Sequence, residues 1–76
     1  MKKISIMLYT INDVKEFVGI VSQYDYDIDL ISGRYAVDAK SIIGIFSLDL
    51  SKPLKVNIYS DECEELIAAL QKFAEE

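Results

Sequence analysis

Four short segments of this chain indicate strands. Three of them alternate apolar and polar residues with a period of two, which is the pattern of a strand with one buried face, and residues 35–37 follow a tight turn. The second and third segments are separated only by Ser32, Gly33 and Arg34, a tight-turn sequence that indicates a hairpin. The apolar positions are Ile4, Ile6 and Leu8; Tyr26, Ile28 and Leu30; Tyr35, Ala36 and Val37; and Leu54, Val56 and Ile58. The sequence therefore predicts four strands.

Three further segments repeat apolar residues every three or four positions, as an amphipathic helix does. Thr10 and Asp13 offer a capping box to the first helix, and Ser41 and Ser60 are the natural N-caps of the second and third. The apolar stripes are Val14, Phe17, Val18 and Val21; Ile42, Ile43, Ile45, Phe46 and Leu48; and Cys63, Leu66, Ile67, Leu70, Phe73 and Ala74.

The order of these elements is strand, helix, strand, strand, helix, strand, helix (βαββαβα). Each helix must bury its apolar stripe against the apolar face of the sheet. We therefore predict an α+β fold, a two-layer open-faced β-sandwich in which three helices cover one side of a four-stranded sheet. With 76 residues in the sequence, we expect one domain that spans residues 1–76.

Composition narrows the classes of function. The net charge of −5 repels nucleic acid and anionic membranes, so we expect no nucleic-acid partner and no membrane insertion, and a basic protein surface is the favoured partner. The chain has one cysteine and no histidine, and its start lacks the apolar run of a signal peptide. We expect a cytoplasmic protein that binds a partner, is not an enzyme and needs no cofactor.

The chain resembles a known protein family over most of its length from the first helix onward. The order of elements, the segment 23–30 and above all the segment 40–48, Lys-Ser-Ile-Ile-Gly-Ile-Phe-Ser-Leu, resemble HPr, the histidine phosphocarrier of the bacterial sugar phosphotransferase system. The family's Gly-x-His-x-Arg-Pro loop is missing. Thr10 lies near the position of its phospho-accepting histidine, and Asn12 lies near that of its assisting arginine.

The resemblance also implies a regulatory and partner-binding site. Ser41 is at the position where family members in many Gram-positive bacteria carry a serine that a kinase phosphorylates. Ile42, Ile43 and Phe46 correspond to the apolar helix residues with which the family docks partners, although some of them must face the core here. The structural alternative is that Ser41 is only an N-cap.

These observations favour an HPr-like regulator or adaptor without histidine phosphocarrier activity, to which a kinase or a regulatory protein binds at the Ser41 helix face. The alternative is a small-molecule-sensing regulatory α/β sandwich domain, such as an amino-acid-binding domain. Asp25, Asp27 and Asp29 share one face of an extended strand, which is too linear an arrangement to surround an ion, so we expect no metal site. Cys63 lies on an apolar stripe and is expected to be buried.

Overall fold

The computed structural model describes residues 1–74. Its four strands form one antiparallel sheet in which the first strand pairs with the fourth, the fourth with the second, and the second with the third. The elements are β1 (Lys2–Ile6), α1 (Ile11–Val21), β2 (Ile28–Ser32), β3 (Tyr35–Asp38), α2 (Ile42–Phe46), β4 (Leu54–Ile58), α3 (Glu64–Ala69) and a single turn of 3-10 helix (Gln71–Phe73). The predicted fold class and the order of elements are confirmed.

The core lies between one face of the sheet and the helices. The register of the strands places apolar side chains opposite one another. In one row across the sheet, the successive partners are Ile4, Val56, Leu30 and Val37. From the helices, Phe17 of α1 packs edge to face on Phe73, with ring centroids 6.2 Å apart. The core therefore joins the first helix to the last segment of the chain.

The hairpin and the short helix each depend on a glycine. Gly33 has a φ of 58°, and a two-residue hairpin turn that matches the twist of the strands needs a positive φ there. Gly44 of α2 lies so close to β3 that an added Cβ would be 3.3 Å from the Cβ of Val37 and 3.2 Å from the hydroxyl of Ser41. Its missing side chain lets α2 pack tightly on β3.

Several boundary predictions are wrong, and two of them have a clear structural reason. Ser60 does not cap the last helix: α3 begins at Glu64 after Cys63, and the Ser60 hydroxyl instead accepts the backbone N–H of Glu62 at 3.1 Å in the preceding turn. The second strand begins at Ile28 rather than at Tyr26, because the backbone carbonyl of Tyr26 is bonded to a lysine side chain instead of a neighbouring strand. Cys63 is buried with 2% exposure, as expected.

Leu70→Ala tests the apolar stripe of the last helix. Leu70 is fully buried, so its truncation leaves a cavity and should lower the free energy of unfolding by about 2–5 kcal/mol. Urea melts measure the effect. The adjacent exposed variant Gln71→Ala is the control and should change stability by less than about 0.5 kcal/mol. Equal melts for the two variants would show that the stripe is not core.

Candidate protein-binding face around Ser41

Ser41 begins α2 as its N-cap. Its backbone is extended (φ −100°, ψ 104°), and its hydroxyl oxygen accepts the backbone N–H of Gly44 at 3.1 Å. Its own N–H donates to the carbonyl of Asp38 at 2.9 Å, which links the end of β3 to the start of the helix. The predicted cap is confirmed, and the hydroxyl lies at the start of the helix.

The three apolar residues predicted to bind a partner do not share one environment. Ile43 is 81% exposed and Phe46 is 45% exposed, and their spacing of three places them on the same side of α2. Ile42 is half-buried and packs against the core, while Ile45 is fully buried beneath the helix. The exposed apolar side chains of α2 are therefore Ile43 and Phe46, and together with the half-buried Ser41 they are here called the α2 face.

Lys40 holds the start of α2 in place. Its ammonium group donates hydrogen bonds to the backbone carbonyls of Tyr24, at 2.6 Å, and Tyr26, at 3.0 Å. Its backbone N–H donates to the carboxylate of Asp38 at 2.9 Å. Sequence analysis quoted Lys40 only as part of a motif and missed this role. Its place directly before the helix was the only available signal.

The segment 24–26, whose carbonyls accept hydrogen bonds from Lys40, also contains a tyrosine with a buried hydroxyl. The side chains of Tyr24 and Tyr26 pack together with ring centroids 5.6 Å apart. The hydroxyl of Tyr26 is buried and has no hydrogen-bond partner within residues 1–74. Burial, and to a smaller extent the nearby thiol of Cys63, raises the pKa of Tyr26 above its ordinary value of 10.0. Tyr26 is therefore neutral at physiological pH and contributes no charge to this region.

Thr10 and Asn12 lie at the start of α1, and both are exposed. The Thr10 hydroxyl accepts the backbone N–H of Asp13 at 3.0 Å, so it caps the helix. The carboxylate of Asp13 in turn accepts the backbone N–H of Tyr9 at 2.9 Å. This pair of bonds fills the place where the family's histidine loop would be with an ordinary helix start.

Asp25, Asp27 and Asp29 do not come together as one group in the structure. Asp27, Asp29 and Asp38 line an open hollow of about 260 Å³ with Tyr59, whose hydroxyl is 3.2 Å from an Asp29 carboxylate oxygen. Asp25 is exposed and does not line the hollow. Over residues 1–74, no group of three or more acidic, cysteine or histidine side chains is placed to hold a metal ion.

The fold and the Ser41 helix define a class, the open-faced sandwich proteins of HPr type, and comparison with known proteins assigns the chain within it. A family model described as the PTS HPr component phosphorylation site matches residues 12–76. The chain therefore belongs to the HPr family of the phosphotransferase system. The match begins two residues after Thr10 and includes the α2 face.

Solved structures agree with this assignment. The crystal structure of HPr-C-His from Thermoanaerobacter tengcongensis is 30% identical, with a TM-score of 0.78 over 95% of this chain and 89% of that one. A phosphocarrier protein HPr from Bacillus anthracis str. Ames shares the fold, with 20% identity and a TM-score of 0.73 over 97% of this chain and 96% of that one. No curated protein matches the chain significantly.

Within the part of the chain that the structure describes, no helix is both long and apolar enough to cross a bilayer.

Lys40→Met tests whether the ammonium group anchors α2. The substitution keeps an unbranched side chain but removes two charge-assisted hydrogen bonds, and it should lower the free energy of unfolding by about 1.5–3 kcal/mol. The control is Lys15→Met on exposed α1, which removes the same charge and should change stability by less than about 0.5 kcal/mol. Denaturant melts measure both, and an unaffected Lys40→Met protein would contradict the anchoring role.

Proposed function

We propose that this HPr-family protein acts by binding a protein partner through the α2 face, under control of Ser41, and that it does not carry phosphoryl groups on histidine. It is a regulator or adaptor rather than an enzyme. The observation that supports this most directly is the combination of an intact α2 face with the absence of any histidine in the sequence.

The chemistry of a phosphocarrier explains why histidine matters. Its imidazole nitrogen is nucleophilic at neutral pH, and the resulting phosphoramidate is energetic enough to pass the group on. A threonine hydroxyl is a poor nucleophile without a neighbouring base, and its phosphate ester is stable. Thr10 also uses its oxygen to accept the Asp13 N–H, which supports a structural role for this residue.

The α2 face suits a contact with another protein. Two adjacent large apolar side chains, Ile43 and Phe46, are exposed on a helix that is anchored beneath by buried Ile45. An exposed apolar cluster on an anchored element is a common feature of binding surfaces. The net charge of −5 favours a partner with a basic surface around its apolar contact, and proteins of the phosphotransferase system are the first partners to test.

Ser41 is the proposed point of control. Phosphorylation by a kinase would add nearly two negative charges beside Ile43 and Phe46, at a hydroxyl that lies at the start of the helix. That charge would oppose an apolar partner surface and attract an arginine-bearing one. The modification therefore selects between partners without requiring a change of fold.

The alternative of a small-molecule-sensing domain is less favoured, because the family match and the 30%-identical HPr structure both support the HPr assignment rather than an amino-acid-binding regulatory class. We also propose a cytoplasmic location, because the protein would have to share that compartment with its proposed phosphotransferase-system partners.

The absence of carrier activity is tested with phosphoenolpyruvate and the general phosphotransferase enzyme. We expect no acid-labile, base-stable label on this protein, while an HPr phosphocarrier in the same assay becomes labelled. Thr10→His alone should not restore labelling, because Asn12 stands near the position of the assisting arginine and the loop is shorter. Labelling of the unmodified protein would refute this part of the proposal.

Partner binding is tested with three variants of the α2 face and one control. Ser41→Ala should cost about 1 kcal/mol of stability through the lost cap, whereas Ser41→Asp keeps a capping oxygen and should retain stability. Affinity capture from native cytosol should then show partners lost or exchanged for Ser41→Asp and lost for Phe46→Ala.

The control is Tyr59→Ala, since Tyr59 is 46% exposed, as Phe46 is at 45%, but lies outside the α2 face. It should leave the partner profile unchanged. Identical profiles for all variants, with melts showing that each is folded, would reduce Ser41 to a helix cap.

A further inference from the structure

A groove lies between the β2–β3 hairpin and the segment that follows α2, and its lining contains none of the residues assigned above to partner binding. One wall is formed by residues 32–35 of the hairpin turn, and the other by residues 47–49 together with Lys52. Its volume is about 550 Å³, which is within the range of small-molecule sites, roughly 300–1,000 Å³. The groove is large enough for a small ligand, but it is open, so part of a bound ligand would stay exposed to solvent.

The groove concentrates positive charge on an acidic protein. Arg34, the only arginine of the sequence, lies on one wall and Lys52 lies on the other. Neither forms an ion pair within the described part of the chain, where the ion pairs are those of Met1 with Asp61 and of Lys72 with Glu16. Both cations therefore remain available to an anion placed between the walls.

Asp49 also lines the groove, and it opposes an anion. Its carboxylate oxygen accepts hydrogen bonds from the backbone N–H of Ser51, at 3.0 Å, and from the Ser51 hydroxyl, at 2.6 Å. These bonds, with a smaller contribution from the charge of Lys52, lower the pKa of Asp49 below its ordinary value. Asp49 is thus ionised, and the two cations leave the lining with a net charge of about +1.

The remaining lining groups favour an organic ligand over a bare ion. Tyr35 is 72% exposed, so one face of its ring is open to pack on the carbon skeleton of a ligand. Ser32 and Ser47 line opposite walls. The Ser47 hydroxyl already donates to the carbonyl of Gly44 at 2.5 Å, so it offers an acceptor to a ligand hydroxyl.

Both walls are held by the backbone before any ligand arrives. Gly33 fixes the hairpin turn through its positive φ, and β3 is paired with β2 up to that turn. On the other side, the N–H groups of Ser47 and Leu48 donate to Gly44 and Ile45 at the end of α2. A preformed groove binds with a smaller loss of conformational entropy than a loop that must be ordered.

We propose that this groove binds a small phosphate monoester, with Arg34 and Lys52 on the phosphate and Tyr35 against the hydroxylated organic part. Arginine donates to two phosphate oxygens at once, and lysine adds a point charge from the other side. The proposal does not depend on partner binding at the α2 face, and the two are tested with different variants.

The test uses the full chain labelled with ¹⁵N, titrated in phosphate-free buffer at low ionic strength. The probe is glycerol 3-phosphate, with glycerol and inorganic phosphate as comparisons. We expect glycerol 3-phosphate to shift the amide signals of residues 32–35 and 47–52, glycerol to leave them unchanged, and inorganic phosphate to bind more weakly than the ester.

Variants assign the charge contacts. Arg34→Gln and Lys52→Gln should each weaken the apparent affinity about tenfold, because each removes a charge-assisted contact with phosphate. Arg34→Lys should give an intermediate loss, since it keeps the charge and removes the two-pronged geometry. Lys15→Gln, which lowers the net charge equally but lies on α1, should have no more than a slight effect.

Several outcomes would overturn the proposal. These are the absence of shifts in the groove, equal affinities for inorganic phosphate and the ester, or a loss for Lys15→Gln as large as that for Arg34→Gln. A phosphate monoester also occurs in a lipid headgroup, so the titration is repeated with vesicles that contain phosphatidate. Binding to those vesicles without binding to glycerol 3-phosphate would also contradict a small free ligand.

Discussion

The position of α2 depends on the burial of Ile45, because a helix of five residues is too short to persist in water by itself. The contact is possible only because Gly44 lets the helix approach Val37 of β3 closely. Lys40 then fixes the start of the helix by bonding to the carbonyls of the 24–26 segment. The proposed binding face on so short a helix therefore depends on the sheet beneath it and on one lysine beside it for its position.

The anchored α2 helix contributes to two different surfaces. Its outer side carries the exposed side chains of Ile43 and Phe46, which form the proposed contact surface for another protein. Its C-terminal end turns through Ser47 into the wall of the Arg34–Lys52 groove. A single rigid helix thus supports an apolar face and, next to it, a hollow with positive charge. Their different chemistry makes them suitable for different ligands.

The start of α1 shows how a fold is retained when a reactive group is absent. Thr10 and Asp13 satisfy the backbone donors that open the helix, so this region needs no histidine or phosphate for its stability. The family match covers residues 12–76, which include the second to fourth strands and the helices apart from the first residue of α1. Under our proposal, the fold of an HPr protein and histidine phosphocarrier chemistry are separable properties.

What the sequence determined by itself was local and periodic. Alternation defined the strands, stripes such as that of Leu66 and Leu70 defined helices, and Ser41 marked a helix start, because each pattern depends on neighbours within a few positions. The tertiary structure alone decided the rest. Whether Ile42 or Ile43 faced solvent depended on how α2 met the sheet, and Lys40 found its carbonyl partners 14 and 16 residues away. Such contacts exist only after distant segments have packed, so no local pattern encodes them.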